Sequence, residues 1–124
     1  MKIKSTPPHS VHPAMSYGVL VGQVIFRHRT ARRIDQVQIA DALGITQSAY
    51  SRIEKGQSGA SIAQLRTICG QFGHAPNIIL HEADELALQL ARQGVEIKDK
   101  QEITPAQVLV GLGILAAILA MSKN

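Results

Sequence analysis

The sequence predicts an all-α protein, with a five-helix domain followed by a C-terminal helix that is apolar on every side. Composition is the first reason: 45% of the 124 residues are hydrophobic, yet only 3% are aromatic and Trp is absent. A core of Ile, Leu, Val and Ala favours helices over a sandwich or a barrel. The second reason is the recurrence of apolar residues at helical spacing, in segments that end at glycines.

The chain begins with a segment that predicts no regular structure. Residues 1–15 hold Pro7, Pro8 and Pro13 among small polar residues, which indicates a flexible N-terminal arm. This arm has no apolar run, so we do not expect a secretory signal in it. Apolar residues at helical spacing then predict the first helix over residues 16–33.

Two short helices follow, and each has a clear start and end. Asp35 is a good N-cap with Gln38 in the capping-box place, and this helix ends at Leu43, before Gly44. Thr46 caps the next helix, which runs to about residue 55 and ends at Gly56.

Two longer helices complete the domain. Ser61 caps the fourth, which Gly73 ends, and the fifth follows Pro76 and runs to about residue 93. Residues 16–94 are therefore predicted to form one domain. The charged segment at 95–103 is interpreted as a linker or a short strand.

The last segment, residues 104–124, has a different character. Thr104 and Pro105 begin a helix that has no polar residue from Val108 to Met121. At 1.5 Å per residue this helix is ~25 Å long, short of a ~30 Å bilayer core. A small-residue stripe, which would let two helices approach closely, is formed by Gly113, Ala117 and Ala120 with Ala116 beside it. We predict an oligomerisation helix; the alternative is a membrane anchor over residues 104–121.

The charge distribution and the cysteine and histidine content narrow the classes of function that this chain can have. Residues 1–66 carry nine basic and three acidic side chains, a net +6, whereas the remainder carries −2. This asymmetry suggests a polyanionic partner for the first half. The single cysteine, Cys69, excludes an internal disulfide and suits a reducing cytoplasm. The histidines have no metal-ligand spacing and no Gly-rich phosphate loop is present, so we expect neither an enzyme nor a metal or cofactor.

The pair of short helices hinged at Gly44 predicts a helix-turn-helix. Ala40 is the small residue where the helices cross, and apolar residues hold the second helix from beneath: Ile45, Tyr50 and Ile53. The face left over is polar, and it consists of Gln47, Ser48, Ser51, Arg52 and Lys55. Gln pairs well with adenine and Arg with guanine, so this face suits the major groove of double-stranded DNA.

Residues 22–73 resemble the lambda-repressor-like (Cro/C1-type, XRE) helix-turn-helix domain. The stretches that carry the resemblance are "GQVIFRHRTARRIDQVQIADALGITQSAYSRIEKG" and "SIAQLRTICGQFG". It implies that Gln36 grips a phosphate, that Gln47, Ser48 and Arg52 read bases, and that an Arg29–Glu54 ion pair ties the first helix to the recognition helix. The sequence departs from the family at Phe26, where Arg is frequent, and at Tyr50, which is larger than usual and whose hydroxyl is expected to reach a phosphate. The full set of expected DNA contacts is Gln36, Thr46, Gln47, Ser48, Tyr50, Ser51, Arg52 and Lys55.

The sequence therefore predicts a cytoplasmic, sequence-specific transcriptional regulator that binds DNA, acts as a repressor and works as a homodimer or larger homo-oligomer. Two alternatives stay open. One is a regulator tethered to the inner membrane by its C-terminal helix. The other is an antitoxin-type regulator whose C-terminal half binds a partner protein.

Overall fold

The computed structural model describes residues 11–98 and 102–121, and this part of the chain is mainly helical. The prediction of an all-α fold with five domain helices and a sixth apolar helix is confirmed, with the addition of two short strands. The elements are β1 (Ala14–Ser16), α1 (Tyr17–Ala31), α2 (Gln36–Leu43), α3 (Gln47–Glu54), α4 (Ile62–Gln71), α5 (Pro76–Arg92), β2 (Glu96–Lys98) and α6 (Pro105–Met121).

Side-chain caps set where the helices begin. The hydroxyl of Thr46 accepts a hydrogen bond from the amide of Ala49 at 3.1 Å, and the hydroxyl of Ser61 accepts one from the amide of Gln64 at 3.0 Å. At the start of α2, the amide of Asp35 donates to the side-chain oxygen of Gln38 at 2.9 Å. These caps satisfy amides that have no partner within the helix, which fixes the first residues of α2, α3 and α4.

Helix α1 lies at the centre of the domain and contacts both α3 and α5. Its buried side chains are Leu20, Val24 and Ile25. They pack with Ile68 of α4 and Ile79 of α5 in one aliphatic core, as the composition predicted. Burial of such side chains supplies most of the stability of a domain of this size.

A short parallel pairing of β1 with β2 corrects one prediction. Residues 1–10 of the expected arm lie outside the described residues, but Ala14 and Met15 are fully buried rather than flexible. Residues 14–16 pair in parallel register with residues 96–98, and Met15 enters the core. A three-residue strand is too short to show a period-2 pattern, so no alternation of apolar and polar residues predicts it. The segment at 95–103, for which a strand was an open alternative, contains β2.

Helix α6 lies with one side against β1 and α5. Leu115 is buried, and Gly111 lies so close to β1 that an added Cβ would be 2.7 Å from the carbonyl oxygen of Ala14. The opposite side is exposed and wholly apolar, and it consists of Leu109, Leu112, Gly113, Ala116, Ala117 and Ala120; we call it the exposed stripe. None of the helices in the described ranges has the length and apolar content that crossing a membrane requires.

Candidate nucleic-acid interface

The turn between α2 and α3 holds the two helices at a fixed angle. Gly44 adopts a left-handed conformation with φ +70°, which glycine tolerates without strain. The amide of Ile45 then donates to the carbonyl of Ala40 at 3.0 Å, and Ala40 is buried where the helices meet. This arrangement is the predicted helix-turn-helix.

A glycine on α1 allows the end of α3 to approach closely. A Cβ at Gly22 would overlap the carbonyl oxygens of Ile53 and Glu54. Ile53 and Tyr50 point inward and are buried, so the remaining side of α3 faces solvent. The glycine inside an otherwise apolar helical stretch was the sequence signal for this contact, because such a glycine marks a close backbone approach or a packing need.

Six of the eight residues predicted to contact DNA line one shallow groove of about 500 Å³. The groove follows the exposed side of α3 and reaches the start of α2. Its lining is Gln36, Gln47, Ser48, Ser51, Arg52 and Lys55, together with Gln57, which the sequence analysis did not single out. Every one of these side chains is polar or basic, which suits contact with phosphates and base edges.

The other two residues predicted to contact DNA, Thr46 and Tyr50, form hydrogen bonds within the domain instead. The hydroxyl of Thr46 is engaged as the N-cap of α3. Tyr50 is fully buried, and its hydroxyl donates to the carboxylate of Glu54 at 2.7 Å. The prediction that the Tyr50 hydroxyl reaches a phosphate is therefore wrong: the side chain points into the core because its ring fills the space beneath α3.

A polar network lies directly beneath the groove. Arg29 of α1 forms an ion pair with Glu54 of α3, and its Nη2 donates to Oε1 of Glu54 at 3.1 Å. The side-chain amide of Gln36 donates to the same Oε1 at 3.0 Å. The amide of Gln47 in turn donates to Oε1 of Gln36 at 3.3 Å. The network thus orients two groove residues from a charge that is fixed in the core.

Burial and hydrogen bonding act in opposite directions on Glu54. Burial alone raises the pKa of this carboxyl, but hydrogen bonds from Arg29, Tyr50 and Gln36 outweigh it, and the pKa lies below its ordinary value. Burial, followed by the hydrogen bond to Glu54, raises the pKa of Tyr50. Tyr50 therefore stays a neutral donor and Glu54 stays an anion at neutral pH.

Two cationic side chains of the groove form no side-chain hydrogen bond or ion pair with the described residues of the domain. Arg52 and Lys55 are exposed, and neither side chain has a hydrogen-bond or ion-pair partner among the residues that the structure describes. By contrast, Arg29 is committed to Glu54. Charge that has no internal partner is available to a polyanion, so the structure locates part of the basic excess of residues 1–66 on this groove.

A second cluster joins α1 to α5 away from the groove. Nε2 of His28 lies 2.9 Å from Oε1 of Glu82, and the guanidinium of Arg32 lies 3.1 Å from Nδ1 of His28 and 2.9 Å from Nε2 of His74. The spacing of His28 and Arg32 by four residues along a helix was the available signal. No group of three or more metal-ligating side chains occurs within residues 11–98 and 102–121.

The comparisons with known proteins agree with this geometry. Residues 25–74 match the family model described as "Helix-turn-helix". This segment is a helix-turn-helix domain. It contains the Arg29–Glu54 pair and every residue of the groove.

Two solved structures share the fold of a large part of this chain. One crystal structure of the clp gene regulator ClgR from Corynebacterium glutamicum has a TM-score of 0.59 at 23% identity, over 65% of this chain and 87% of that one. A second structure of ClgR has a TM-score of 0.54 at 20% identity, over 57% of this chain and 92% of that one. At these identities the likeness concerns the fold. No curated protein matches the chain.

Proposed function

We propose that this protein is a cytoplasmic repressor that binds a two-fold symmetric operator as a homodimer. Each copy inserts α3 into the major groove of one half-site. Occupation of the operator then excludes the transcription machinery. The observation that carries the DNA-binding part is the groove, in which seven polar or basic side chains lie together along the exposed side of α3 and at the start of α2.

The residues of the groove divide by chemistry into readers and positioners. Gln47 and Arg52 have the donors and acceptors that pair with adenine and guanine edges, and both lie on the exposed side of α3. Lys55 presents a point charge at the end of α3, which suits a phosphate. Gln36 lies at the start of α2 and contacts a phosphate while it orients Gln47.

The exposed stripe of α6 supports dimerisation. Leu109 is 72% exposed, and the stripe continues along the helix through Leu112 and three alanines. An uninterrupted apolar surface of this kind marks an interaction site in a soluble protein. Its small residues allow a second α6 to approach closely, and a two-fold contact of this kind would pair two copies of α3 for neighbouring half-sites.

The test uses the full chain and a binding site selected from a pool of random duplexes. Fluorescence anisotropy would give the affinity for the selected site and for a scrambled duplex. We expect Arg52→Ala to weaken specific binding by about 1–3 kcal/mol and to lower discrimination between the two duplexes. We expect Lys55→Ala to weaken both duplexes alike and to reduce the salt dependence, because it removes one phosphate contact.

Arg92→Ala is the matched control, because Arg92 is an exposed arginine of α5 outside the groove. It should bind both duplexes as the unmodified chain does. Failure to select any sequence, or equal behaviour of the Arg52 and Arg92 variants, would contradict the proposal.

A further inference from the structure

A cavity of about 600 Å³ opens between α1, the end of α3 and the start of α6. One part of its wall is apolar and is formed by Val19, Phe26, Ile103, Val108 and Leu112. The remainder is polar and includes the side-chain amides of Gln23 and Gln36. A volume of several hundred Å³ with a mostly apolar wall and a few polar groups is typical of a small-molecule site.

The charges around the cavity favour an anion. Two charged residues line it, Glu54 and Lys55. Glu54 is neutralised by its ion pair with Arg29 and accepts further hydrogen bonds from Tyr50 and Gln36. Lys55 has no partner among the described residues, so it is the charge left to a ligand. A carboxylate paired with Lys55 gains a charge-assisted hydrogen bond.

The cavity and the DNA-facing groove share part of their walls. Gln36, Lys55 and Gln57 line both. Phe26, the departure from the family pattern, belongs to the cavity wall, and its ring centroid lies 5.5 Å from the guanidinium carbon of Arg29. A molecule in the cavity would therefore touch the network that orients the groove and would occupy the lysine that faces it.

We infer that this cavity binds an amphipathic anion with an aliphatic body and one carboxylate, of the size of a medium-chain alkanoate. The aliphatic body lies against Phe26, Val108 and Leu112, and the carboxylate meets Lys55 at the shared wall. Because the carboxylate competes with DNA phosphate for Lys55, the bound anion lowers the affinity for DNA. This last step rests on the proposed DNA-binding function; the binding of the anion does not.

A second copy of α6 is a poorer occupant of the cavity. Helix α6 has no polar side chain from Val108 to Met121, so it offers nothing to Gln23 or Lys55. Burying these groups without partners is costly. The exposed stripe, which is apolar throughout, is the surface that suits a second copy.

The experiment is isothermal titration of the full chain with decanoate, and with 1-decanol as the uncharged probe of equal length. We expect one decanoate per chain. Val108→Trp, which fills the cavity, should weaken decanoate at least about tenfold. Leu88→Trp is the matched control, because Leu88 is half-exposed on α5 and does not line the cavity. Lys55→Met should weaken decanoate about tenfold and leave 1-decanol unchanged, since it removes one charge-assisted contact.

A second experiment measures the affinity for the selected DNA duplex by fluorescence anisotropy. Saturating decanoate is added to the unmodified chain and to the Val108→Trp variant. We expect decanoate to weaken binding by the unmodified chain and to have no effect on the variant. Absence of decanoate binding, equal loss in the Val108 and Leu88 variants, or dissociation of the dimer by Val108→Trp would overturn the inference while DNA binding stands. Decanoate binding by a chain that selects no DNA would overturn the proposed function and leave the site itself in place.

Discussion

Glu54 shows how one residue connects the core to the groove on α3. Its carboxylate is buried at the end of α3, where it receives hydrogen bonds from Arg29 of α1, Gln36 of α2 and Tyr50 within α3. Three helices thus meet at one charge. A buried carboxylate is costly unless it is fully paired, so its partners are fixed in position as strongly as it is. This is why Gln36 and Gln47 occupy defined positions on an otherwise exposed surface.

Replacing Glu54 with Gln should destabilise the domain and change its response to acid. The variant leaves the guanidinium of Arg29 buried without its anion, which we expect to lower the free energy of unfolding by about 3–5 kcal/mol at neutral pH. In the unmodified chain the folded-state pKa of Glu54 lies below its unfolded value. Its contribution is therefore complete above the unfolded pKa, about 4.3, and is lost as the pH falls through the folded value.

Urea denaturation at a series of pH values from neutral to acid would measure both effects. Glu85→Gln is the control, because Glu85 is exposed on α5. We expect the Glu54 variant to be less stable at neutral pH and to lose less of its stability on acidification than the unmodified chain. An acid response as steep as that of the Glu85 control would contradict the assigned role.

Elements were predictable from the sequence where local signals agree. Asp35 with Gln38, Thr46 and Ser61 mark helix starts, and Gly44 and Gly73 follow helix ends, so α2, α3 and α4 were located within one or two residues. The strand pair was not predictable on the N-terminal side, because Ala14 and Met15 follow Pro13 and carry no strand pattern. The inward turn of Tyr50 was also missed, since the residue type suits both a core and a phosphate contact.

The contact between α6 and β1 depends on one glycine, so a substitution at this glycine tests how α6 is held. Gly111→Ala places a methyl group against the backbone of β1, 2.7 Å from the carbonyl oxygen of Ala14, and backbone cannot shift as a side chain can. We expect α6 to lose its contact with β1 and the protection of the β1 amides in hydrogen exchange to fall. Overpacking of this kind costs about 1–3 kcal/mol.

Gly70→Ala provides the control for this substitution. Gly70 lies in α4, and an added Cβ there has nothing within 4 Å. The change should therefore stabilise the protein by about 0.5–1 kcal/mol through helix propensity alone. Equal gains in stability for both variants would show that α6 does not rest on β1.

At the scale of the whole molecule, the chain has two surfaces with different chemistry. The groove on α3 is polar and carries exposed cations, whereas the exposed stripe of α6 is apolar throughout. Both surfaces belong to elements that rest on α1 or on β1, the strand that leads directly into it. The apolar character of α6 was readable from its composition, but which side packs on the domain was not, because a helix without polar residues has no amphipathic pattern to orient it.

The proposed dimer leads to a prediction about this second surface. Leu109→Asp places a charge at the N-terminal end of the exposed stripe, at a position 72% exposed within one chain. Because the fold of the single chain does not bury this side chain, the substitution should leave the monomer folded. Burying the new carboxylate in a helix pair would be unfavourable, so we expect light scattering to give a dimer for the unmodified chain and a monomer for the variant.

DNA binding would separate the consequences of losing the dimer from those of misfolding. On a duplex with two half-sites the Leu109 variant should bind at least tenfold more weakly, whereas on a single half-site it should bind as well as the unmodified chain, because linking two sites raises their effective concentration. Ile62→Asp is the control, since Ile62 is an exposed apolar residue on α4, outside the stripe. A Leu109 variant that stays dimeric, or a control that dissociates as readily, would mean that α6 does not join the two copies.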